Sequence, residues 1–288
     1  MIKGIDVSSH QGRIDWQRVK ADGISFVLIK ATEGVGFVDP KLSHNAEGAR
    51  AVGLPCGFYH FARPDTQSGR TVESAIGDAR AEADSLLAVA FPKSGDLLPV
   101  LDLETAGLPT ARLFAWTKAW LERVTERIGA KPIPYTFPAF WAKLGNPTEL
   151  GSYSLWIAHW RVSAPTLPAG WRRHTIWQYA DDGSVDGITG NVDLNRLHER
   201  ATLTDITYQS SEVTTMPPPR PRQNLPGPVP KPAWFGPWLR WQLGVGEFEG
   251  LAQNPSVRPD EAPLELPGWA LACEKKLRAA RAAGPGVR

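Results

Sequence analysis

Two carboxylates close the apolar run LLPVLDLET: Asp102 and Glu104, with Leu103 between them. On a β-strand, side chains two apart face the same way, with their Cα atoms about 6.5–7 Å apart. That spacing predicts both acids on one face of a sheet. Clustered, partly buried carboxylates disfavour their charged forms, so at least one pKa rises. A carboxyl still protonated near neutrality can donate a proton while its neighbour stays ionised. Glycoside hydrolysis uses this division: one acid protonates the leaving oxygen, and a second group stabilises or attacks the oxocarbenium-like centre. Asp6 and Asp193 also fall in strand-like runs, Ile2–Val7 and Val192–Leu194. Taken alone, the Asp102–Glu104 pair also suits a solvated strand end. Four carboxylates brought together would be costly without a use.

Other chemistries fit less well. The six histidines (His10, His44, His60, His159, His174 and His198) are scattered, and neither H-E-x-x-H nor C-x-x-C occurs. No metal and no cofactor is expected. The Ser8–His10 stretch SSH lacks the setting of a nucleophile elbow, and ATEGVG is not a phosphate loop.

These acids need a scaffold. Strand-like runs are Ile2–Val7, Phe26–Ala31, Gly57–Phe61, Leu98–Leu103, Ile133–Phe137, Leu155–Trp160 and Thr175–Tyr179, with Val192–Leu194 weaker. Helix signals lie between them. Asp39–Pro40 reads as an N-cap and first turn, with Gly53 as the stop. Thr110 can cap a helix whose stripe is Leu113, Trp116, Trp120, Val124 and Ile128, ended by Gly129. The spacing assigns both tryptophans to the core. Repeated strand–helix units predict an α/β fold with a parallel sheet closed into a compact, TIM-like (β/α) barrel. The units after Phe137 leave little room for helices, so the barrel should be irregular. Active sites of such barrels lie at the C-terminal ends of the strands.

Nine of the 22 residues from Met216 to Pro237 are proline, which predicts an extended spacer. The domain expectation is therefore a catalytic barrel over 1–208, a Pro-rich linker over 209–235 and a small Trp-rich segment over 236–288. Trp234, Trp238, Trp241 and Trp269 fall in or beside that last segment. It fits a cell-wall-binding module, an interaction element or a plain extension.

The chain has 288 residues and a net charge of +2, which gives no reason to expect a nucleic-acid partner. Residues 1–215 carry 22 basic and 24 acidic side chains, against 10 and 6 in 216–288, so the tail is mildly basic. Cys56 and Cys273 are far apart, and Cys56 sits in an apolar run, so a buried free thiol is expected there rather than a disulfide. MIKGIDVSS has no apolar signal region, and no run reaches membrane-spanning length. The expectation is synthesis in the cytoplasm without a signal peptide, with no membrane insertion.

Six stretches in order, GIDVSSHQGRIDW, FVLIKATEGVGFVD, GFYHF, PVLDLE, LWIAHW and WQYADDGSVDGITGNVDLN, resemble the motifs of the glycoside hydrolase family 25 lysozymes, the Chalaropsis-type N-acetylmuramidases. The likeness spans about residues 1–200. It implies cleavage of the β-1,4 bond between N-acetylmuramic acid and N-acetylglucosamine in peptidoglycan. Carried over, Glu104 is the general acid, and Asp102 is a nucleophile or a group orienting the substrate acetamido oxygen. Asp6 and Asp193 complete the catalytic acids. Lys30, Tyr59, Phe61, Tyr135 and Trp177 match positions that line the sugar groove. The overall layout is similar to phage or prophage endolysins, monomers that reach the wall at host lysis. The rival expectations are a non-catalytic glycan-binding barrel and a hydrolase of another N-acetylhexosamine polymer such as chitin.

Overall fold

The computed structural model describes residues 1–64 and 70–210. Nearly all of the expected linker and the whole Trp-rich segment, with Cys273, lie outside the described residues. Strand β1 (Lys3–Val7) leads to a short helix α1 (Trp16–Ala21), then β2 (Phe26–Glu33), β3 (Phe37–Val38) and α2 (Leu42–Ala51). Next come β4 (Cys56–Phe61), α3 (Val72–Val89), β5 (Val100–Asp102), α4 (Thr110–Ile128), β6 (Ile133–Thr136) and α5 (Pro138–Lys143). Strands β7 (Trp156–Ala158), β8 (Ile176–Gly183) and β9 (Val192–Leu197) complete the order.

The sheet runs β1-β9-β8-β7-β6-β5-β4-β2, and β1 also pairs with β2, which closes a barrel of eight strands. All eight apolar runs of the sequence became these strands. The added ninth strand, β3, is a two-residue return against the end of β2. The closed sheet is not wholly parallel, as the repeated units predicted: β9 runs antiparallel to both of its neighbours, β8 and β1. The connection from Gly183 to Val192 is too short for a crossover, because a parallel return needs about a dozen residues or more. The chain therefore turns straight back. That reversal puts the start of β9, rather than its end, at the rim where β1 finishes, and Asp193 pairs in register with Asp6.

Side chains alternate between two cores. Phe26, Leu28, Val100, Ile133, Tyr135, Trp156, Ile176 and Leu197 fill the barrel interior. Ile5, Val7, Val27, Ile29, Leu101 and Ile157 face outward, with Trp116, Trp120, Leu121 and Leu86 in the outer layer. Gly4 is required here: a Cβ on it would lie 2.3 Å from the ring of Phe26.

Helix α4 carries the predicted stripe, with Trp116 and Trp120 wholly buried, and Gly129 ends it at φ 71°. Its cap is Pro109 rather than Thr110, which is the first helical residue and has its hydroxyl 3.4 Å from the Lys143 carbonyl. Helix α2 starts at Leu42 after Lys41, not at Asp39. The Asp39 carboxylate is spent on the Lys41 N–H at 2.8 Å and the Ser9 N–H at 3.0 Å. Helix α3 escapes a search for large apolar stripes because its buried face is mostly alanine: Ala75, Ala79 and Ala83, with Glu82, Leu86 and Leu87. Thr71 and Ser74 cap it reciprocally. Cys56 is a buried free thiol whose pKa burial pushes up to about 11.

Candidate active site

The four acids meet at one end of the barrel. Asp6 is the inward residue between Ile5 and Val7, which face outward. Asp102 follows the inward Val100 by two on β5. Asp193 precedes the inward Leu197 by four on β9. Strand β5 stops at Asp102, so Glu104 is not on the strand as the spacing predicted. The Leu103 N–H still bonds the Tyr135 carbonyl at 3.0 Å, which carries the extended path one residue further and sets Glu104 on the rim. There it lines a groove of about 420 Å³ with Tyr135, Phe137, His159, Trp160 and Arg161.

Hydrogen bonds fix the floor. Asp6 Oδ2 accepts from Asn195 Nδ2 at 2.6 Å and from Gln178 Nε2 at 2.9 Å. The same Gln178 nitrogen lies 3.3 Å from Asp193 Oδ2. Gln178 Oε1 accepts from the Tyr135 hydroxyl and from the Trp160 indole, each at 3.1 Å. Asn195 Oδ1 accepts from the Trp156 indole at 2.8 Å. Gln178 thus ties two acids to two aromatic walls. It follows the inward Ile176 by two residues, and Asn195 follows Asp193 by two. The same two-residue period that marks the inward strand positions in the sequence also marks both amides.

The electrostatics are unfavourable to charge. Burial, opposed by the amide hydrogen bonds, still raises the pKa of Asp6. Burial and the neighbouring Asp6 push Asp193 up to about 9. Asp102 is held well above the usual range by burial, then by Glu104 and Asp6, and its Oδ1 is buried with no hydrogen-bond partner. Glu104 is raised by burial and by Asp6, while Lys30 and Arg63 pull the other way. The site therefore favours protons on its carboxyls at pH values where ordinary acids are ionised.

Of the five expected groove residues, the structure brings four to the mouth. Lys30 continues the inward series Phe26, Leu28, and its Nζ lies 2.6 Å from Glu33 Oε2 and 4.7 Å from the Phe61 ring centroid. Arg63 covers Phe61 at 4.6 Å and also donates to Glu33 at 2.7 Å. Tyr59 and Tyr135 both pack on Trp156 in the interior. Trp177 is a correction. Ile176 and Gln178 point inward, so Trp177 points outward, 3% exposed in the outer core, with the Arg196 guanidinium 4.1 Å over its ring. It cannot touch a sugar in the groove. The exposed aromatic of the groove is Trp160, 40% exposed, at the end of the apolar run Leu155–Trp160. Among the described residues, no group of three or more His, Cys, Asp or Glu is arranged to hold a metal ion.

Convergent carboxyls with raised pKa values, set in an aromatic groove at the rim of a (β/α) barrel, define the architecture of a glycosidase. The comparisons narrow this. Residues 5–188 match the family model described as glycosyl hydrolases family 25, and the chain belongs to that family. It is 36% identical over 210 residues to Lysozyme M1 of Streptomyces globisporus, covering 69% of each chain. It is 36% identical over 212 residues to the N,O-diacetylmuramidase of Chalaropsis sp, covering 67% of this chain and 96% of that one. The crystal structure of a bacterial lysozyme from Streptomyces coelicolor superposes with a TM-score of 0.63 at 35% identity, over 68% of this chain and 92% of that one.

Proposed function

We propose that this protein is a muramidase: it hydrolyses peptidoglycan at the β-1,4 bond between N-acetylmuramic acid and N-acetylglucosamine. The observation that carries the mechanism is the position of Glu104, half-buried on the groove wall with a raised pKa and no ion-pair partner among the described residues. Such a carboxyl holds its proton more firmly than an ordinary glutamic acid and can give it to the glycosidic oxygen. Asp102 works from below. Its unpartnered Oδ1 is an acceptor awaiting a donor, and burial disfavours a free charge on it. Both features favour orienting the acetamido N–H of the substrate over direct attack as a nucleophile, so the substrate's own acetamido oxygen attacks the anomeric carbon. Asp6 and Asp193, locked by Gln178 and Asn195, hold the floor, and with burial and Glu104 they disfavour charge on Asp102. Trp160 supplies a face for a sugar ring, with Tyr59, Phe61 and Tyr135 shaping the remainder.

The wall is the place of action. Among the described residues no helix is long and apolar enough to cross a membrane. Release after cytoplasmic synthesis, wall binding by residues 236–288 and a monomeric state form part of the same reading. The test is product chemistry. Purified walls are digested, the new reducing ends are reduced with borohydride, and the amino-sugar alcohols are separated. Muramicitol is expected. Glucosaminitol in its place, or hydrolysis confined to chitin oligosaccharides, would refute the assignment.

A further inference from the structure

Arg161 stands on the wall of the Glu104 groove, directly after Trp160. Its backbone is left-handed, φ 57°, and the other non-glycine residue with positive φ among those described is Asn146. Asparagine tolerates that region, whereas a long side chain is disfavoured there. Strained positions persist where the surrounding structure enforces them, commonly at binding sites. Here the strain carries a guanidinium to the rim with its side chain 77% exposed.

What surrounds it is unusual. Asp181 Oδ1 lies 3.8 Å and Asp182 Oδ2 3.6 Å from the guanidinium. At those distances the acids hold the charge near the groove but do not take its hydrogen bonds. Asp181 Oδ1 is itself buried without a hydrogen-bond partner. Arg161 makes no hydrogen bond among the described residues, so its planar fork of donors is unspent. The other cations of the mouth are engaged: Lys30 and Arg63 both bind Glu33. The carboxyl groups of the site, Asp6, Asp102 and Asp193 on the floor and Glu104 on the wall, supply no counter-cation for a substrate anion. A neutral polysaccharide offers such a guanidinium little, but a carboxylate matches it with two parallel hydrogen bonds.

We propose that Arg161 is a specificity-determining residue: it binds a carboxylate carried by the substrate beside the scissile bond and so selects an anionic N-acetylhexosamine polymer over a neutral one. This rests on the muramidase reading and names what that groove recognises. Peptidoglycan has two sources of such a carboxylate: the stem peptide, and the lactyl group of muramic acid once its peptide is removed.

The experiment measures kcat and KM for wild type, Arg161→Gly and Arg161→Lys. Three soluble substrates are used: strands bearing stem peptides, the same strands with carboxylates amidated by carbodiimide and ammonia, and strands stripped of peptide so that the lactyl carboxylate is free. Glycine suits the left-handed backbone, so Arg161→Gly should melt no lower than wild type. On the strands that carry the recognised carboxylate, peptide-bearing or stripped, it should raise KM ~10-fold with kcat nearly unchanged, as for one lost charge-assisted contact. The difference should vanish on amidated strands, and Arg161→Lys should fall between, because an ammonium binds as a point charge. A loss confined to stripped strands assigns the lactyl carboxylate, which is amide-linked while the peptide is attached, and a loss confined to peptide-bearing strands assigns the stem. Undiminished activity of Arg161→Gly on both anionic substrates, or an equal loss on the amidated one, would overturn the inference alone. Wild-type inactivity on all three would overturn the muramidase reading and this one with it.

Discussion

The two faces of the same strands treat charge in opposite ways. On β4, Tyr59 and Phe61 point into the barrel mouth, while His60 between them points out. His60 Nε2 donates to Glu82 of α3 at 2.6 Å, and Nδ1 is 2.8 Å from the Thr32 hydroxyl. Glu82 also accepts the Arg63 N–H at 3.1 Å, and the imidazole stacks on Trp120. On that outer side the buried imidazole and carboxylate complement each other. Across one strand thickness, Asp102 has a buried oxygen without a partner, and three more acids crowd it. Burying unpaired carboxyls is expensive, and the outer face shows that this chain pairs buried charge elsewhere. On the proposed mechanism the crowded inner face gives up stability for reactivity, and the paired outer face braces it.

The sharpest way to break the contrast is from the outside. Glu82→Ala leaves His60 buried without its acceptor and frees the Arg63 N–H. Removing one member of a buried pair costs about 3–5 kcal/mol, which urea or thermal unfolding would register. A loss under ~1 kcal/mol would mean that the outer pair does not brace the barrel. The two tryptophans of β8 and the groove give the next test. Trp177→Ala empties an outer-core site and should cost about 3 kcal/mol with KM preserved. Trp160→Ala should cost little stability and raise KM. Reversed results would restore Trp177 to the groove.

The pH dependence of stability separates the faces further. Asp193 has its folded pKa raised to about 9 from 3.8, through burial and the adjacent Asp6. The folded state therefore keeps a proton that the unfolded chain releases, and this contribution to stability is lost as pH rises through that interval. Asp193→Asn should raise the melting temperature at pH 8 more than at pH 5. Equal shifts at the two values would contradict a titrating origin. His174, on the outer face beside His198, has the smallest effect and the opposite sign. Burial, then His198 and Arg196, lower its pKa from 6.5 to about 4. The unfolded chain takes up that proton first, so stability falls as pH drops from 6.5 towards 4. His174→Asn should flatten this acid limb slightly, and an unchanged limb would remove His174 as its source.

The barrel was readable from sequence because its strands are buried on both faces and stand out as continuous apolar runs. Strand direction was not readable. An apolar run carries no polarity, and the short link from Gly183 to Val192 was the clue that β9 must turn back. Strand position and ordered motifs point to Asp6, Asp102 and Asp193, and the structure draws them to one end of the barrel. Glu104 lies beside them, although it stands just past the strand rather than on it. Trp177 was misplaced because a motif fixes position and not face, whereas counting by two from the inward Ile176 selects Gln178. That count also finds Asn195. Arg63 lies beyond the expected end of β4, and Glu33 beyond that of β2, past the irregularity between Lys30 and Thr32.

The central claim is that the crowded inner acids perform the reaction and that Glu104 supplies the proton. It is tested most directly by the loss of turbidity of purified bacterial walls, with wild type and Glu104→Gln compared at matched concentration and equal melting temperature. Wild type should clear the walls, and Glu104→Gln should do so at least ~100-fold more slowly, the usual scale for a lost general acid. A Glu104→Gln protein that clears walls within a few-fold of wild type would contradict it.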